Sequence, residues 1–75
     1  MKNLIEFIAK SLVDDPSQVD VSEIEGETSV ILELRVAPED MGRVIGKNGR
    51  TANAMRSLLR VVAAREGKRA TLEII

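Results

Sequence analysis

Hydrophobic residues recur along this chain at two different spacings, and the switches between them divide it into elements. Leu4, Ile5, Ile8 and Leu12 return at the interval of one helix face, which predicts a first helix from about Leu4 to Val13. Asn3 followed by Glu6 reads as a variant capping box at its start, and Phe7 and the leucines as its core face. Asp14-Asp15-Pro16 ends it, because proline turns the preceding residue away from helical dihedrals. Val19 and Val21 then alternate with Asp20 and Ser22 as a short strand, and Glu25-Gly26-Glu27 lets the chain reverse. The clearest period-2 signal follows: Val30, Leu32, Leu34 and Val36 share one face, opposite Ile31, Glu33 and Arg35. That strand is expected at the centre of the sheet.

Ala37-Pro38-Glu39-Asp40 opens a short helix, with proline suited to the first turn and the two acids to the positive helix end, and Met41 to Ile45 continues it. Gly46-Lys47-Asn48-Gly49 interrupts, and a longer helix resumes near Arg50. Ala52, Met55, Leu58, Leu59 and Val62 form its apolar face and Gly67 its stop. Ala54 and Val61 widen that face, which leaves open either broad burial within the monomer or a dimer contact. Ala70 to Ile75 reads as a last strand with Leu72 and Ile74 inward. The order predicts a single α+β domain over residues 1–75: a three-stranded mixed sheet covered on one face by helices. The helical pair forms the crossover between the last two strands, which should run parallel and be joined right-handedly.

Composition narrows the chemistry. The chain lacks cysteine and histidine, so thiolate or imidazole metal sites and cysteine or histidine nucleophiles are excluded by inventory. An enzyme is not expected, and no metal or other cofactor is implied. Gly42 to Gly46 has the wrong spacing for a nucleotide-binding phosphate loop, Asn48 stands where such a loop needs a hydroxyl, and there is no G-x-G-x-x-G. The apolar start is broken by Glu6 and Lys10, so neither a signal peptide nor a membrane span is expected, and a cytoplasmic location fits the lack of cysteine.

Net charge is −1, but it is unevenly placed. Residues 1–42 carry three bases against ten acids, a balance of −7, and residues 43–75 carry eight bases against two acids, a balance of +6. The basic half supplies the field that phosphate attraction requires, and the acidic half limits indiscriminate binding to polyanions.

The most specific segment is Arg43-Val44-Ile45-Gly46-Lys47-Asn48-Gly49-Arg50. Two glycines at a tight helix-to-helix junction admit unusual dihedrals and let another backbone approach. Exposed amides at the following helix start favour an anion, to which Lys47 and Arg50 add full charges. Val44-Ile45-Gly46-Lys47-Asn48-Gly49 resembles the V-I-G-x-x-G signature of KH domains, and the element order resembles their type II arrangement. In length and layout the whole chain is similar to the small bacterial single-KH proteins of the KhpA family.

That resemblance implies a protein that clamps single-stranded RNA, with Gly46 and Gly49 admitting the backbone and Lys47 and Asn48 reaching phosphate or sugar. Ile45, Val44 and part of the last strand would line an apolar base groove, with Arg43 and Arg50 close by. Ala52 departs from the larger aliphatic residue that many KH domains carry there, which affects groove depth. Arg56, Arg60, Lys68 and Arg69 either extend the RNA path or are simply solvated. With Phe7 the only aromatic residue, a base-stacking platform is not available. The resemblance further implies RNA chaperoning or post-transcriptional control, a homodimer, and pairing with a larger KhpB-like KH protein. No small-molecule substrate is implied. The alternative is a protein-interaction adaptor with a KH fold that binds little RNA itself.

Overall fold

The structure, a computed structural model, describes residues 1–75. Three α-helices and three strands follow one another as α1 (Lys2–Leu12), β1 (Asp20–Glu25), β2 (Ser29–Arg35), α2 (Met41–Ile45), α3 (Arg50–Arg65) and β3 (Arg69–Ile74). Single 3₁₀ turns at Pro16–Gln18, Pro38–Asp40 and Lys47–Gly49 link them. The sheet order is β1-β2-β3, antiparallel on one side of β2 and parallel on the other. This is the α+β, mixed-sheet architecture of a KH domain, with the most strongly alternating strand at its centre.

Alternation explains the sheet. Val30, Leu32 and Leu34 of β2 are buried, and their cross-strand partners Ala70, Leu72 and Ile74 on β3 turn the same way. Ile31 sits opposite Ile24 and faces out, so the second sheet face carries no helix-packed core. The inner face is covered by Ile5 and Ala9 of α1, Val44 of α2, and Met55 and Leu59 of α3. Four alanines, Ala9, Ala37, Ala52 and Ala63, are buried with them. Their small side chains let helix backbones approach closely, which is how so short a chain closes a core.

Several expectations need correction. Helix α1 begins at Lys2 with Met1 as its cap and no side-chain capping bond, so Asn3 lies inside the helix and is not a capping-box residue. Phe7 is 72% exposed: Ile5 and Ala9, four residues apart, face the sheet, and Phe7 between them points away. Strand β1 extends to Glu25, beyond its short apolar alternation, because β2 supplies a partner for each residue up to Val30. Leu58 is half exposed rather than core, and Ala63 takes the buried position.

The ends of α3 have identifiable causes. Gly67, at φ +70°, stops the helix in a Schellman arrangement, its N–H donating to Ala64 O and that of Lys68 to Ala63 O, at 3.0 and 2.9 Å. The other end abuts the glycine loop.

The acids before α2 divide. Glu39 is exposed, but Asp40 is buried and makes no side-chain cap. Its two oxygens instead accept the backbone N–H groups of Asp14 and Asp15, each at 3.1 Å, and Arg43 Nε lies 3.3 Å away. One carboxylate thus ties the chain after α1 to the start of α2.

Candidate nucleic-acid interface

The junction between α2 and α3 is built by three residues with positive φ, Gly46, Asn48 and Gly49, with Lys47 between the first two in ordinary helical dihedrals. Gly46 (φ +77°, ψ 172°) stops α2, its N–H donating to Gly42 O at 2.9 Å. Asn48 (φ +57°) is the one non-glycine residue of the chain with positive φ, a conformation asparagine tolerates better than most. Gly49 (φ +76°, ψ 13°) precedes the first turn of α3 and donates to Gly46 O at 3.2 Å.

The two glycines serve different ends. A Cβ on Gly46 would collide with Thr51, falling 2.8 Å from its Cβ and 2.9 Å from its backbone nitrogen. Around Gly49 the nearest atom would be Asn53 Nδ2 at 3.9 Å, so that position is needed for its dihedrals and not for room. The loop is pressed against the start of α3 at one glycine and left open at the other.

Lys47 and Asn48 are exposed at the tip, and Arg50 is exposed at the first position of α3. Neither Lys47 nor Arg50 has an ion-pair partner, so both charges face water beside the positive end of a 16-residue helix. Backbone amides, a helix dipole and two uncompensated cations make this corner suited to a phosphodiester.

The other expected residues separate. Ile45 is partly exposed beside Gly46 and presents an apolar edge to the loop. Val44 is fully buried in the core, so it supports Ile45 and the loop from beneath and offers no surface to line a groove. Arg43 is exposed but committed, with Nη2 2.8 Å from Asp14 and Nε 3.3 Å from Asp40. Its charge is neutralised at the far side of α2, and it is not free to meet an anion at the loop.

A cleft runs between α3 and β3, lined by Arg56, Leu59, Arg60, Ala70, Thr71 and Leu72. Arg56 bridges its floor: Nε donates to Leu72 O at 3.3 Å and Nη1 to Asn53 Oδ1 at 3.3 Å. Leu59 and Leu72 lie buried beneath the floor of the cleft, and Ala70, Thr71, Arg56, Arg60 and the outward backbone groups of the edge strand are its accessible surface, against which bases can lie and be hydrogen-bonded. Thr51 and Asn53 belong to this site and carry no sequence signal, since their roles arise only when the loop folds back on α3.

The family model described as "KhpA/KhpB, KH domain" matches residues 2–74 of the chain. The RNA-binding protein KhpA of Clostridium acetobutylicum is 61% identical over 75 residues, all of both chains. The RNA-binding protein KhpA of Clostridium perfringens is 57% identical, again over all of both chains, and that of Aquifex aeolicus is 49% identical over all of this chain and 95% of its own. No solved structure matches the chain.

Proposed function

The chain belongs to the KhpA/KhpB KH-domain family, and on that premise we propose that it binds single-stranded RNA, gripping the backbone at Gly46-Lys47-Asn48-Gly49. The observation that carries this is the loop itself. Positive φ at Gly46, Asn48 and Gly49 puts backbone groups and Lys47 at an exposed corner beside unpaired Arg50 and the start of α3. Bases then pass exposed Ile45 beside the loop and lie along the α3–β3 cleft over Ala70 and Thr71, with strand β3 offering backbone hydrogen bonds. Such a clamp engages roughly four nucleotides and needs no aromatic stacking.

The role that follows is a cytoplasmic RNA chaperone or post-transcriptional regulator. A single clamp binds weakly, and pairing two raises affinity through effective concentration. Leu58 and Val61, 50% and 56% exposed on α3, support pairing with a second copy or with a KhpB-like KH protein. The same apolar face favours the adaptor reading if RNA binding proves absent.

The test is Lys47→Asp combined with Asn48→Asp, measured by fluorescence anisotropy on short single-stranded RNA and on matched DNA across a salt series. Aspartate tolerates the positive φ of Asn48, so the fold is expected to survive while the reversed field removes binding. Binding preferential for RNA and lost in the variant supports the clamp. A variant that binds as wild type does, or loses binding only by unfolding, counts against it.

A further inference from the structure

The α3–β3 cleft continues away from the glycine loop and ends in a second concentration of positive charge that the clamp does not use. Arg60 of α3, Lys68 of the connection and Arg69 of β3 surround, with Ala70 and Thr71, a space of about 410 Å³. Arg60, Ala70 and Thr71 also line the first part of the cleft, so the two spaces form one trough. Arg60 stands ten residues along α3 from Arg50, roughly 15 Å at the helical rise.

Helix-dipole compensation accounts for a cation at the end of α3, where Lys68 follows the Schellman turn. It does not account for Arg60, more than a turn earlier, nor for Arg69 on the strand. Neither arginine has an ion-pair partner, and both are exposed. Only Lys68 is engaged, by Glu25 from the end of β1. Unlike Arg43, which two carboxylates hold, Lys68 has a single acidic partner, and its ammonium has three donors, so it can hold Glu25 and still reach an incoming oxygen. Two uncompensated guanidinium groups and a lysine around an open trough stabilise an anion and repel one another without it.

We propose that Arg60, Lys68 and Arg69 form a second phosphate subsite, which holds the RNA backbone beyond the nucleotides gripped at the glycine loop. The inference rests on the clamp reading and adds a length requirement to it. RNA long enough to span the trough gains contacts at both ends of α3, and RNA that fills only the clamp does not.

The test compares oligouridines of about four and about eight nucleotides by anisotropy across a salt series, in wild type and in the Lys68→Gln, Arg69→Gln double variant. Arg60 is left in place because it also borders the base groove. Wild type is expected to bind the longer oligomer more tightly. In the variant the short oligomer keeps its affinity, which also reports an intact fold. The gain with length falls away, and the log–log salt slope on the longer oligomer drops by about 1.4, the share of two phosphate contacts on a single strand. A double variant that keeps both the gain and the slope overturns the subsite. Wild type that binds both lengths equally does the same and leaves the clamp standing. Wild type that binds neither overturns the clamp and the subsite together.

Discussion

A methyl group at position 46 would strike Thr51, whereas one at position 49 would meet only a distant amide, although both glycines have positive φ. Gly49→Ala should therefore cost only the left-handed penalty, about 1–2 kcal/mol. Gly46→Ala adds a collision to its own strain and should cost more, of order 3 kcal/mol, with RNA binding lost as the loop shifts. Urea denaturation of the two variants checks the order, and an equal loss would mean that Thr51 yields easily. At Asp40, asparagine keeps the shape but turns one acceptor into a donor facing an N–H. Asp40→Asn should destabilise by about 1–3 kcal/mol, seen in the same denaturation experiment. The glycines and Lys47 were legible because a backbone requirement and a charge show in residue type. Asp40 and Arg43 were not, since their partner, the chain at Asp14 and Asp15, is 25 or more residues away and only folding brings it near.

Along α3 the buried positions Ala52, Met55, Leu59 and Ala63 form one arc, and Leu58 falls about 60° outside it at 100° per residue. Leu59→Ala should cost about 2–5 kcal/mol, while Leu58→Ala should stay within roughly 0.5 kcal/mol in the monomer. Thermal unfolding measured at several protein concentrations separates the two. A Leu58 effect that grows with concentration would place that residue in a self-contact. Hydrophobic pattern alone chose Leu58 over Ala63 because it weighs side-chain size. The packing here selects small residues where the helix nears the sheet. The same bias placed Phe7 inward on α1. Strand β2 is legible because period 2 admits only two faces, and only one of them, Val30, Leu32 and Leu34, carries no charged residue.

At the scale of the whole molecule, acidic and basic halves meet at the pair of Glu25 and Lys68. The lysine's hydrogen bond and charge hold the Glu25 carboxyl below the usual carboxylate range. A lowered carboxyl pKa means that the pair's stabilisation is fully present above the ordinary value of 4.5 and fades as pH falls through the folded one. Because Glu25 is open to solvent, the contribution is small and screened by salt. The melting temperature of Glu25→Gln should lie slightly below wild type at neutral pH and converge with it in acid. A gap that persists in acid would assign the effect to something other than the charge. The pair joins the end of β1 to the connection before β3, a meeting of distant segments that no local pattern announces.

The parallel pairing of β2 with β3 also has a consequence for synthesis. Residues 69–74 leave the ribosome some forty positions after the strand they must lie beside. Until they emerge, the nascent α1–β1–β2 unit carries Val30, Leu32 and Leu34 on a strand with one open edge, a template for pairing with any other extended chain. The helices can form as they appear, but the sheet closes last. The domain is therefore most vulnerable to misassembly in the interval between the emergence of β2 and that of β3, and slowing elongation within that interval should lower its soluble yield.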